Sequence, residues 1–195
     1  VTGYLSWLKN FVTFNWPNSI KGSREVWPEL KDAMANSARL GIAATTVGVS
    51  IGLSIGIFAA LRPGGKRDVA VNTAAFVGIS IPPYISAILL QLVFAVYWSK
   101  WFGNTLFPTS GVYPPGQDGF DLVLMIKHMA LPTVVVAIQV IAVYSRYMRS
   151  SLLDVLNSDY MRTARSKGLS EFRILMRHGV RNALIPVITI AALDI

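Results

Sequence analysis

Cysteine is absent from this chain, which excludes a disulfide framework and a thiolate-based site. Charge is scarce too. Only 14% of the residues are charged, where a soluble domain carries about a quarter, and 53% are apolar, so the balance points to a membrane. The two histidines, His128 and His178, fall on opposite sides of the expected membrane and build no zinc-type cluster. Acidic residues are scattered, without the paired carboxylates or His/Asp set that a membrane-embedded enzyme needs near one face. The turn Arg62-Pro63-Gly64-Gly65-Lys66-Arg67 lacks the G-x-x-x-x-G-K-[ST] pattern, because Lys66 is followed by Arg, so it is no phosphate loop. A secondary transporter would show ionisable residues within its spans and an internal repeat, and neither is found.

The charge that is present is mostly positive, with a net value of +8. In a soluble protein that would raise nucleic acid as a partner. Here the distribution argues otherwise. Eight of the eighteen Lys and Arg lie between Arg146 and Arg181, and Arg62, Lys66 and Arg67 share one turn. Both clusters are where a positive-inside bias and anionic-lipid contacts would put them.

Three uncharged runs are long enough to matter. Residues 40–61 cross a hydrocarbon core of about 30 Å at the helical rise. In that run Ala44, Gly48, Gly52, Gly56 and Ala60 recur every four residues, a flat ridge suited to close helix packing. Residues 69–99 form a second span, interrupted by Pro82-Pro83, where a kink is expected with freed carbonyls at mid-depth. Such a kink serves either a substrate path or the shape of the bundle. Residues 129–149 make a third span if Arg146 and Arg149 snorkel. Gln91 and Gln139 lie within spans, as candidates for a translocation path or for interhelical hydrogen bonds.

Between the spans, residues 1–39 carry Trp7, Trp16 and Trp27, as befits an external segment at the water–lipid boundary. Residues 62–68 are an inside turn, and 100–128 a Gly- and Pro-rich external loop containing Pro114-Pro115-Gly116. Residues 150–182 form an inside loop, and 183–195 begin a further span with Pro186 in its first turn. Because the sequence starts at Val1 and stops within an apolar run, it is expected to be a fragment of a longer protein.

The inside loop is the most distinctive part. Good helix formers run up to Lys167, and Gly168 suits the left-handed position after a helix. Ser170 is then a candidate N-cap for a short helix, with Glu171 in its first turn. Phe172, Leu175, Met176 and Gly179 recur at helical spacing on one apolar face, with Leu169 just ahead, while Arg173, Arg177 and Arg181 line another. Such a helix either lies on anionic lipid or plugs a groove on a soluble partner. Periodicity does not choose.

The wording of residues 159–186, DYMRTARSKGLSEFRILMRHGVRNALIP, resembles the cytoplasmic signature loop of permease subunits of ABC importers, in detail the dipeptide/oligopeptide/nickel branch. Asp159, Tyr160, Arg162, Thr163, Ala164, Arg165, Lys167 to Glu171, Leu175, Arg177, His178, Arg181, Asn182 and onward to Pro186 fit that branch. Arg162, Thr163 and Arg181 depart from the broader superfamily pattern, in the manner of the branch. The stretch GISIPPYISAILLQLVFA is similar to the same permeases.

The resemblance implies an all-α integral membrane protein, a type I ABC importer permease bundle with kinked spans. It implies a coupling helix, Gly168 to His178, seated on an ATPase subunit. Implied partners are a second homologous permease, two cytoplasmic ATPases holding ATP and Mg, an extracytoplasmic substrate-binding protein, the lipid bilayer and a peptide substrate. The chain itself would bind no cofactor, do no chemistry and sit as a multi-pass protein in a bacterial plasma membrane. Nickel or another small cargo is the alternative on the same architecture.

Overall fold

Long apolar runs with helix-forming flanks give helices that outlast the runs themselves. The computed structural model describes residues 2–16, 19, 22, 24–109, 111–112 and 121–194. Every regular element among them is helical. Among the described residues, three helical stretches are long and apolar enough to cross a membrane: Val26–Ala60, Pro83–Phe102 and Leu122–Leu156.

Residues 1–41 and 42–195 are two separate units. In the first, helix α1 (Thr2–Val12) carries Tyr4, Trp7 and Phe11, whose rings stack in sequence and continue to Trp16. The indole N–H of Trp16 donates to the Phe11 carbonyl at 3.0 Å. That bond satisfies the polar end of a ring whose body lies against its neighbours.

Helix α2 (Val26–Ala60) contains the uncharged run 40–61 as its C-terminal part. Its ridge of Ala44, Gly48, Gly52, Gly56 and Ala60 is buried. A Cβ on Gly48 would lie 2.6 Å from the Val140 Cβ, and one on Gly56 would lie 2.5 Å from the Ser145 carbonyl oxygen. The ridge is therefore a packing surface, where missing side chains let two backbones approach.

Helix α3 (Lys66–Ser80) follows a turn in which Gly64 takes φ 73°. The run 69–99, expected as one kinked span, is instead broken in two. Pro82 has no N–H to offer the Gly78 carbonyl, and it drives Ile81 out of the helical region, to φ −88° and ψ 118°. Helix α4 (Pro83–Gln91) starts at once, with proline at a position that needs no donor. It continues through a π-helical segment, Leu92–Tyr97, into α5 (Trp98–Phe102), which Gly103 ends at φ 72°.

Helix α6 (Leu122–Leu156) begins seven residues before the expected span. The cause is Asp121, whose carboxylate accepts from the Val123 and Leu124 amides at 2.9 and 3.0 Å as an N-cap. The last part of the expected 100–128 loop is thus helical, and His128 lies buried in α6 with Nδ1 3.2 Å from the Gly111 carbonyl oxygen. Pro114-Pro115-Gly116 lies outside the described residues.

Helix α6 is the spine of the larger unit. Helices α3, α4 and α9 (Arg181–Asp194) all pack on it. Its Tyr144, Met148 and Leu152 form one core cluster with Ala60, Val180, Ala183 and Val187. The Ser151 hydroxyl donates to the Ala183 carbonyl at 2.8 Å, adding a polar tie to that seam.

Candidate functional site

Helix α7 (Asp159–Ser166) is amphipathic and short, and Gly168 stops it at φ 74°. Met161 and Ala164 face inward and meet Ile174 of helix α8 (Glu171–Ile174) in a buried cluster that also takes in Val155, Leu156 and Leu169. Arg162, Thr163, Arg165 and Lys167 stand on the exposed side. The Arg165 Nε donates to Glu171 at 3.2 Å across the bend between the two helices. Both partners are exposed, so this pair contributes little to stability.

Ser170 precedes α8 in extended conformation, and its hydroxyl makes no capping bond. The larger departure lies at the other end. A separate helix over 168–178 was expected, whereas α8 passes without interruption through a π-helical segment, Leu175–Val180, into α9. Nothing in LMRHGV breaks a helix except Gly179, which is tolerated there because it is buried against Leu152. Pro186 consequently sits inside a helix already under way, not in a first turn.

The π segment also divides the apolar face. Its wider turn places Leu175 and Gly179 against the core. Phe172 and Met176 point outward, 74% and 46% exposed. Arg173, Arg177 and Arg181 are exposed around them and make no ion pair with a described residue. His178 is half-buried, and its carbonyl accepts from the Asn182 side chain at 2.8 Å. The outcome is a protruding aromatic knob in a basic surround, on a platform locked to α6.

The path candidates are engaged elsewhere. Gln139 donates through Nε2 to the Gly78 carbonyl at 2.9 Å and to that of Ile81 at 3.4 Å. Gly78 is the residue whose bonding partner Pro82 removes, so the amide stands in for a missing N–H. Gln91 donates to the Thr109 carbonyl at 3.3 Å. Pro82 and Pro83 are exposed at the break.

One polar group escaped the reading of the sequence. Asp68, in the first turn of α3, is 3% exposed. It accepts from both Nε and a terminal nitrogen of Arg149, the latter at 2.6 Å, from the Gly64 amide at 2.9 Å and from the Asn72 side chain at 2.8 Å. The Arg149 hydrogen bond is the main cause that holds its carboxyl below the ordinary 3.8, at about 2, against the burial that would raise it. The available signal was slight: one acid in a basic turn, at the edge of an uncharged run. Beside this pair, Asn72, Val143, Arg146, Tyr147, Arg149 and Ser150 line a recess of about 400 Å³.

Residues 52–195 match the family described as binding-protein-dependent transport system inner membrane component. The chain is 39% identical to the oligopeptide transport system permease protein AppB of Bacillus subtilis (strain 168), over 98% of its own length and 59% of the relative's. It is 40% identical to the dipeptide transport system permease protein DppB of the same organism, over 96% of its length and 56% of the relative's. Against the protein of that name in Escherichia coli (strain K12), identity is 30%, over 91% and 56%. The chain thus spans between 56% and 59% of the length of these relatives.

Proposed function

Because this chain belongs to the family of binding-protein-dependent transport system inner membrane components, we propose that it is a permease subunit of an ATP-driven importer that carries peptides across a bacterial plasma membrane. Relatives named for oligopeptide and dipeptide transport support the peptide cargo. The spans run 40–61, 69–99 as two helices joined at Ile81-Pro82, and 129–149, with a further one from 183. Turn 62–68 and loop 150–182 face the cytoplasm; residues 1–39 and 100–128 lie outside.

The observation that carries the mechanism is the exposed Phe172 on its anchored platform. Phe172 and Met176 enter a cleft of an ATPase subunit as apolar anchors, and Gly168 to His178, with Arg162, Arg165, Lys167 and Arg181 around it, form the seat. A second permease, two ATPases holding ATP and Mg, and an external binding protein complete the assembly. ATP-driven closure of the ATPases then swings the spans between outward-open and inward-open forms. Of the two roles open to Gln91 and Gln139, their backbone bonds favour packing; Pro82 and Pro83 are free to border the path.

The test is Phe172→Asp in the assembled complex. A carboxylate forced into an apolar cleft is costly to desolvate, so ATP-driven peptide uptake is expected to fall at least tenfold while insertion in the membrane persists. Unchanged uptake with the ATPases still co-purifying would remove the docking assignment.

A further inference from the structure

Helix α3 is fastened to α6 at two levels with equal spacing. At one, the buried Asp68 carboxylate is held by Arg149. At the other, the Gln139 amide holds the Gly78 carbonyl. Asp68 and Gly78 are ten residues apart, as are Gln139 and Arg149. The two clamps therefore lie about 15 Å apart along both antiparallel helices. At the second level the faces touch: a Cβ on Gly78 would lie 3.4 Å from the Ile138 Cγ2 and 3.8 Å from the Ala142 Cβ.

We propose that Asp68 and Gln139 are positioning residues that keep α3 and α6 together as one piece throughout transport, with bending confined to the elbow Ile81-Pro82-Pro83. Sliding α3 along α6 would strand a buried carboxylate and leave the Gly78 carbonyl in the last turn of α3 without its donor, the first of these the more costly. Bending at the elbow gives up only the longer 3.4 Å bond from Gln139 to the Ile81 carbonyl and part of the packing of α4 on α6, since neither proline has an N–H to unpair and both are exposed.

The proposal rests on the transport reading given above, and the test separates the two. The chain has no cysteine, so Gly78→Cys with Ala142→Cys introduces one pair, at a Cβ separation of 3.8 Å that matches the usual disulfide value of about 3.8 Å. In the assembled transporter, with partner cysteines replaced, oxidation should close this bond and leave peptide uptake within about twofold, a change of about 0.4 kcal/mol in barrier height. Absence of the bond, or uptake lost on oxidation and regained on reduction, overturns the clamp. A complex that takes up no peptide before oxidation instead fails the transport reading. Asp68→Asn should lose most uptake per ATP hydrolysed and regain it when the disulfide closes; full coupling in Asp68→Asn alone would overturn the role of Asp68.

Discussion

At the scale of single residues, the seam between α2 and α6 discriminates sharply among glycines. A methyl on Gly56 would meet the Ser145 carbonyl oxygen at 2.5 Å and the Met148 Cβ at 2.8 Å, so backbone must shift to admit it. Gly56→Ala is expected to cost about 1–3 kcal/mol, seen as a lower melting temperature in detergent. Gly41, with nothing within 4 Å of the same methyl, makes the control. Gly41→Ala should be neutral or stabilise by up to about 1 kcal/mol, because alanine is the better helix former. Asp68 gives a pH signature. Its carboxyl is depressed in the folded chain, so its stabilising contribution is complete above 3.8 and is lost as pH falls towards about 2. Unfolding followed over that window should show a destabilisation that Asp68→Asn lacks.

At the scale of elements, the Pro82 break and its amide cap form one unit. Gln139→Leu leaves the Gly78 carbonyl unpaired and should cost about 1–2 kcal/mol. Pro82→Ala restores an N–H at the right place, while Pro83 still ends α3 a residue later. With that donor present Gln139→Leu should become nearly silent, and a double-mutant cycle on thermal stability reads the coupling. Additive effects would mean that the amide serves something other than the break. This element also marks how far the sequence could be read. The four-residue ridge in α2 and the Gly168 stop were legible, since each follows from local spacing and local backbone freedom. The proline pair announced a disruption, but whether it bends or severs a helix depends on a donor arriving from residue 139. The union of Asp68 with Arg149, 81 positions away, left no periodic trace. Nor did the π segment 175–180, because no residue in LMRHGV marks a wider turn and only the packing of Leu175 and Gly179 selects it.

At the scale of the whole molecule, the basic clusters and the spans imply a definite sidedness. A cysteine-free chain makes that directly measurable. Lys66→Cys and Ser166→Cys should react with a membrane-impermeant thiol reagent only from the cytoplasmic face, and Asn104→Cys only from the opposite one. Labelling of all three from one side would contradict the span assignment. The helices extend well past the lipid in this arrangement. Helix α6 has 35 residues, about 52 Å at the helical rise, against a hydrocarbon core of about 30 Å. Hydropathy locates only the part of such a rod that lies in lipid, so the capped start at Asp121 and the end at Leu156 were hidden from it.

The uninterrupted run from α8 through the π segment into α9 has one more consequence. Residues 171–194 behave as a single shaft of about 36 Å, with Phe172 near one tip and Val187 wedged beside α6 well along it. Torque applied at the tip meets only two weak points on the way, the π segment and Pro186, which has no N–H for the Asn182 carbonyl. It must twist the far portion bodily, bend the shaft at Pro186, or be taken up as a change of winding in the six residues from Leu175 to Val180.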